Sequence, residues 1–255
     1  MAKENSYPSA LLFIAASILL TGGWLMSSFP IFIFFAFAPL FALTDRVDQN
    51  AVVWEKMEWI LLALTVSFLA ARVFDFSVIV SSMLYAILFI LPFMGYAWSR
   101  HVLGNRVGKI TIVLLWLTIE YLLLKVHAED SVFLADALRI QTGWIRWNIY
   151  TGYLGVTFWI LLTNLSLYQA LLSKNPFQWY WIILAVIMLC GPAISSYFID
   201  ASPITRSDMV NLYSKKLIVK DVTYLAQGEF VVRTAAWLST LILIFTFIKS
   251  QTTKR

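Results

Sequence analysis

Eight apolar stretches, each close to the length needed to cross a bilayer, occupy most of this 255-residue chain. Only 13% of the residues are charged, whereas soluble domains carry about 25% charged residues. In hydrocarbon the backbone must satisfy its own hydrogen bonds, so a spanning segment is a helix or part of a closed barrel. Uninterrupted apolar runs without strand-like alternation predict helices. The sequence therefore predicts an all-α, polytopic membrane helical bundle with about eight transmembrane helices.

The eight predicted spans form one transmembrane domain that covers residues 1–255. They lie at residues 9–26, 29–43, 57–74, 76–98, 109–126, 151–172, 177–199 and 230–248. Two loops of some size remain, at residues 125–148 and 200–229, and both mix charges with spaced apolar residues. In the second loop, Ser202 followed by Pro203 resembles the start of a short amphipathic helix. In the first, Val132, Phe133, Ala137 and Ile140 predict another.

The distribution of basic residues predicts the orientation of the chain. An even number of spans places both termini on the same side of the membrane. The short link from Arg100 to Lys109 is strongly basic, whereas the short links on the opposite side offer only Arg72. Because short cytoplasmic loops carry an excess of Lys and Arg, we expect both termini to be cytoplasmic.

Several classes of function have no support in the sequence. The net charge of +5 comes from basic residues spread over loop ends, and not from the clustered patch of a nucleic-acid-binding protein. The two histidines, His101 and His127, are separated by a whole span and cannot share a metal ion. We find no haem, zinc, phosphate-loop or dinucleotide motif, and predict no cofactor. The single cysteine, Cys190, lies in an apolar span, and we expect it to serve in packing.

A family resemblance rests on an ordered set of short stretches, none of which is specific alone. They are Ser28–Pro30, Ala38–Leu40, Tyr85–Gly104, Leu115–Tyr121, Trp147–Asn164 and Gly228–Trp237. Together they resemble the membrane domain of bacterial apolipoprotein N-acyltransferases, which shows a similar Trp, a Tyr-Thr-Gly turn and a Trp-Ile-Leu-Leu-x-Asn helix. The resemblance implies a multi-pass protein of the bacterial inner membrane.

The resemblance also shows what this chain lacks. Members of that family carry a large nitrilase-like domain between the seventh and eighth helices, with a Glu–Lys–Cys triad that transfers an acyl chain to a lipoprotein. Here the same interval covers only residues 200–229, which is too short for such a domain. No family catalytic residue therefore has a counterpart in this chain. Asn148 is a further departure, because many relatives are expected to have Glu before Tyr-Thr-Gly.

Glu120 is the most informative ionisable residue, because it lies within an apolar span. Intramembrane acids are costly and suggest function. One interpretation is a structural ion pair or helix tie, with Lys125, Arg139 or Arg146 as the partner. The other is a role in binding a lipid headgroup or handling protons. Arg233, at the mouth of the last span, could similarly meet a lipid phosphate or extend to the interface as an ordinary snorkelling arginine.

Three classes of function follow from these observations. The first is a non-catalytic subunit of an envelope complex that binds membrane phospholipid, a protein partner or both. The second is a membrane acyltransferase or lipid-handling enzyme that uses intramembrane residues such as Glu120. The third is a transporter, although the sequence shows no internal repeat or set of midplane charges. We predict that the two loops and neighbouring span ends bind the lipid or partner, through Glu120, Trp144, Arg146, Trp147, Tyr213 and Arg233.

Overall fold

The computed structural model describes residues 8–26, 28–45, 53–104, 108–126, 131–173, 178–213 and 222–252, and these contain helices and no strand. Within these described residues, each of the eight predicted apolar segments contains a helix. The helices are α1 (Ser9–Leu25), α2 (Ile33–Thr44), α3 (Val53–Ala71), α4 (Ile79–Leu103), α5 (Ile110–Lys125), α6 (Asn148–Thr151), α7 (Tyr153–Leu167), α8 (Trp179–Ser196), α9 (Arg206–Tyr213) and α10 (Val222–Thr252).

Four helical segments in the described chain are long and apolar enough to cross a membrane. They are Ile79–Leu103, Tyr153–Leu172, Trp179–Ser196 and Glu229–Thr252, the second being α7 with the π-helical turn that follows it. Three shorter apolar helices cover Ser9–Leu25, Pro30–Thr44 and Met57–Ala71. A multi-pass helical membrane protein is compatible with this arrangement, and the count of eight spans stays a prediction.

Helix α2 differs most from a simple span. Its 12 residues rise about 18 Å at 1.5 Å per residue, well short of a hydrocarbon core about 30 Å thick. All of its residues except Phe35 are buried within the protein. A helix that is apolar all round and buried on nearly every side belongs to a protein core, and composition alone does not separate this case from a lipid-facing span.

The described chain divides into two compact units. The first contains residues 1–90 and 160–189, and the second contains residues 91–159 and 190–255. In the first unit, α1 packs against α2 and α3. The close approach of α1 to α2 depends on Gly23, because a Cβ there would lie 3.1 Å from Ile33. Trp24 of α1 donates a hydrogen bond of 3.0 Å from Nε1 to the Ser67 hydroxyl of α3.

Asn164 ties the segment after residue 160 to α2 within the first unit. Its Oδ1 accepts hydrogen bonds from the backbone N–H groups of Phe37 (2.8 Å) and Ala38 (3.2 Å). Its Nδ2 donates to the carbonyls of Ile33 (2.9 Å) and Ile160 (2.8 Å). The buried amide is thus fully hydrogen-bonded, which removes the cost of burying it.

In the second unit, α10 packs along α5, and α9 contacts both helices. The hydroxyl of Thr118 on α5 donates a hydrogen bond of 3.0 Å to Ser239 on α10. This packing places the end of α5 beside the part of α10 that begins at Glu229. The segments that connect the helices at this end form the candidate site.

Candidate lipid- or partner-binding site

The candidate site is a surface of the second unit that we call the loop face. We define it as residues 131–151, residues 197–211, the end of α5 from Glu120 and the part of α10 from Glu229 to Arg233. Residues 134–138 and 142–144 form 3-10 turns, and α6 and α9 are short helices. In the part of the chain that the structure describes, the loop face therefore combines turns and short helices with the ends of the longer helices α5 and α10.

Glu120 is fully buried beneath the first of these turns. Its Oε1 accepts hydrogen bonds from Trp116 Nε1 (3.0 Å) and from the backbone N–H of Leu134 (2.9 Å). Its Oε2 accepts one of 2.6 Å from the Thr157 hydroxyl. One side chain thus joins α5, α7 and the turn at residues 134–138. The expected partners Lys125, Arg139 and Arg146 were wrong: among the described residues, no basic side chain forms an ion pair with Glu120.

Asp136 and Arg206 hold the two parts of the loop face together. Tyr153 donates a hydrogen bond of 2.5 Å from its hydroxyl to Asp136, and Arg206 lies 3.8 Å from the same carboxylate. Arg206 also donates to the carbonyl (2.7 Å) and hydroxyl (3.1 Å) of Ser131. Its guanidinium lies 4.7 Å from the ring centre of Phe133, close enough for a cation–π interaction. The first loop is therefore fixed to the start of α9.

Asn148 fixes the second loop to α6. Its Oδ1 accepts a hydrogen bond of 2.8 Å from the backbone N–H of Ile204, and its Nδ2 donates one of 2.8 Å to the carbonyl of Ile204. The side chain of Asn148 is fully buried. Because the N–H and the carbonyl of Ile204 are both paired with one side-chain amide, the backbone of this part of the loop is held in one position.

Three predicted site residues, Trp144, Arg146 and Trp147, lie together near the end of α8. Ser196 donates a hydrogen bond of 2.8 Å to the Trp144 carbonyl, and Arg146 donates one of 3.2 Å to the carbonyl of Ile199. The ring of Trp147 packs edge-on against that of Trp159, 5.6 Å between centroids. These residues are thus engaged in holding the loop face, and each is only partly exposed.

The short helices of both loops differ from their predicted form. Helix α9 begins at Arg206, and not at Pro203. Thr205 and Asp208 explain the difference: Asp208 accepts hydrogen bonds of 2.7 Å from the N–H and the hydroxyl of Thr205, as in a capping box. In the first loop, Phe133 and Ala137 are buried as expected, but Ile140 is exposed. The 3-10 helix of this loop ends at Leu138, so Ile140 lies beyond it and does not share its buried side.

Arg233 belongs to a separate charged cluster at the start of the last candidate span. Glu229 Oε1 lies 3.2 Å from Lys125 Nζ and 3.2 Å from Arg233 Nε. The same oxygen accepts a hydrogen bond of 2.9 Å from the Tyr121 hydroxyl. We name Lys125, Glu229 and Arg233 the basic cluster, because it contains two cations and one anion. Its charge makes it the part of the loop face best suited to bind an anionic group.

The predicted site residues therefore do not meet at one point. Glu120 lies below the first loop, the residues 144–147 lie by α8, and Arg233 lies in the basic cluster. The side chain of Tyr213 lies outside the described residues. Sequence reasoning missed the roles of Asp136, Arg206 and Glu229. The spacings Thr205-x-x-Asp208 and Glu229-x-x-x-Arg233 were available signals, for a helix cap and for an ion pair on one helix face.

Cys190 is not packed in the core, contrary to the expectation from the sequence. Its side chain is exposed on α8, on an apolar helical surface that includes Ile187 and Ile194. Among the residues that the structure describes, no three His, Cys, Asp or Glu side chains are grouped to hold a metal ion.

Comparison with models of known protein families, with curated proteins and with solved structures finds no match for this chain.

Proposed function

We propose that this protein is a non-catalytic, multi-pass protein of a bacterial inner membrane, and that it serves as a subunit of an envelope complex. In this proposal the helical bundle derives from an apolipoprotein N-acyltransferase-like membrane domain, and it has about eight spans with both termini in the cytoplasm. The loop face then points away from the cytoplasm and binds a protein partner, with phospholipid at its edge.

The observation that carries this proposal is the fixing of the loop face by buried polar side chains. Glu120 accepts three hydrogen bonds, and Asn148 makes two with Ile204. Such groups are costly to bury and must be fully satisfied to be tolerated. A surface that is ordered before binding loses less conformational entropy when a partner docks, so rigid loops favour a docking role.

The hydrogen bonds that Glu120 already accepts also favour a role in binding over one in catalysis. Its two carboxyl oxygens accept hydrogen bonds from Trp116, Leu134 and Thr157. A general base or nucleophile must approach its substrate within hydrogen-bonding distance. The only cysteine, Cys190, lies on the apolar surface of α8, and such a surface does not favour the reactive thiolate.

Replacement of a loop segment tests the proposal. Residues 206–217 are exchanged for a Gly/Ser linker of equal length, which leaves Ile204 and its contacts with Asn148 in place. We expect the bundle to insert and fold while a stoichiometric partner is lost on purification in mild detergent. A Gly/Ser replacement of residues 104–108, in the link between α4 and α5, is the control and should retain the partner. Equal retention by both variants would contradict the proposal.

A further inference from the structure

The basic cluster has a geometry that is suited to an anionic ligand. Lys125 Nζ and Arg233 Nε each lie 3.2 Å from the same oxygen of Glu229. Both cations are therefore close enough to contact the oxygens of one phosphate. Glu229 is mostly buried, with 14% of its side chain exposed, whereas the Arg233 side chain is 61% exposed. The acid thus forms the base of the cluster, and the cations face the surroundings.

An exposed apolar stripe continues from this cluster along α10. Trp237, Leu241 and Ile244 follow Arg233 at intervals of three to four residues, which places them on one side of the helix. All three side chains are at least half exposed. Only 22% of the most apolar 18-residue stretch of this candidate span is buried inside the protein. The stripe is therefore an apolar surface with two cations at its end.

We propose that Lys125 and Arg233 bind the phosphate of an anionic phospholipid whose acyl chain lies along Trp237, Leu241 and Ile244. The inference rests on the membrane location in the proposed function. It does not depend on a protein partner. The cluster carries one net positive charge, which matches a headgroup with one negative charge, such as that of phosphatidylglycerol. The indole of Trp237 is suited to the interfacial region next to the headgroup.

The contacts of Arg233 distinguish this site from ordinary snorkelling. A snorkelling arginine only needs to extend its charge toward water. Here Nε is held by Glu229, one turn earlier on α10, which limits the directions in which the guanidinium can point. Lys125 reaches the same acid from α5 and also lies 5.2 Å from the centre of the Tyr121 ring. Cations from two helices thus converge on one carboxylate oxygen. An arginine that only extends its charge toward water would not need this arrangement.

Native mass spectrometry of the purified full-length protein tests the site. The protein is offered equal amounts of phosphatidylglycerol and phosphatidylcholine in detergent, and the retained lipid is counted. We expect selective retention of phosphatidylglycerol. Arg233→Gln and Lys125→Gln should each weaken it about fivefold, the effect of one basic residue near an anionic lipid. Arg233→Lys keeps the charge and should retain most of the binding.

The control is Lys249→Gln, which removes a basic residue from the other end of α10. It should leave retention unchanged. Equal retention of the two lipids, or an equal loss in the control, would overturn the inference. So would displacement of the lipid by inorganic phosphate alone, because a site for the free anion does not need the apolar stripe. Partner binding is measured separately, so a failure here leaves the proposed function standing.

Discussion

Asn148 and Ile204 are joined by two hydrogen bonds of 2.8 Å that run in opposite directions. They connect α6 to the loop that precedes α9, across 56 positions of sequence. This single amide fixes the backbone of the second loop, while Glu120 fixes the first through the N–H of Leu134.

Replacement of Asn148 by Ala should release the second loop without unfolding the bundle. The N–H and carbonyl of Ile204 would lose their partners in a buried setting, which costs about 1–3 kcal/mol. We expect faster hydrogen exchange at residues 199–205, measured by mass spectrometry. Thr234→Ala, at an exposed position on α10 where the hydroxyl bonds within its own helix, should leave the exchange rates there unchanged. Unaltered exchange in Asn148→Ala would show that the amide does not hold the loop.

Two substitutions at Glu120 separate a structural role from a chemical one. Glu120→Gln keeps a carbonyl oxygen for the N–H groups of Trp116 and Leu134, and its new amide can donate to the Thr157 hydroxyl. We expect thermal stability and partner binding close to those of the unmodified protein. Glu120→Leu leaves these three donors without an acceptor and should lower the unfolding free energy by about 1–3 kcal/mol or more. Loss of function in a stable Glu120→Gln protein would instead indicate a role for the carboxyl charge or proton.

Gly155 and Gly191 provide a matched pair of substitutions in two helices. A Cβ at Gly155 would overlap Thr151 Oγ1 and lie 2.6 Å from Thr151 Cβ, whereas nothing lies within 4 Å of one at Gly191. Gly155→Ala should therefore destabilise the second unit by about 1–3 kcal/mol, the usual cost of overpacking. Gly191→Ala should leave the melting temperature unchanged or slightly higher. A similar response from both would show that Thr151 can move aside.

The predicted orientation is tested by labelling single cysteines. Ser207 is exposed in the first turn of α9. In a Cys190→Ala background, a cysteine at this position should react with an impermeant thiol reagent in intact spheroplasts. One at His101, exposed near the end of α4, should react only after lysis. The expectation follows from the basic link between Arg100 and Lys109. Labelling of His101→Cys alone in intact spheroplasts would invert the orientation.

The helical segments were predictable because apolar runs determine them directly. The burial of α2 was not predictable, because its composition is the same for a helix packed among other helices as for one that faces lipid, and only tertiary packing separates the two. The same limit applied to Cys190, whose apolar neighbours on α8 face away from the protein. An apolar sequence predicts burial away from water, but lipid and protein provide that burial equally well.

The sequence predicted which segments form the candidate site, but it did not predict which residues contact one another there. The two loops and Glu120 were identified from sequence, but the partners of Glu120 include Leu134 and Thr157, which contribute a backbone group and a neutral hydroxyl. Every residue except proline has a backbone N–H, so the residue types do not show which N–H group pairs with Glu120. The basic residues near Glu120 were therefore the partners expected from the sequence. The pairing of Asn148 with Ile204 could not be predicted either, because it uses only the backbone groups of Ile204.

Site-specific photocrosslinking in living cells tests the central claim most directly, that the loop face is the docking surface. A photoreactive phenylalanine analogue is placed at Tyr150 or Phe198, two exposed positions of the loop face, and at Ile183 or Ile187 on the exposed side of α8. We expect one adduct of constant mass from both loop-face positions and none from the α8 positions. Adducts from α8 alone, or from no position, would contradict the claim.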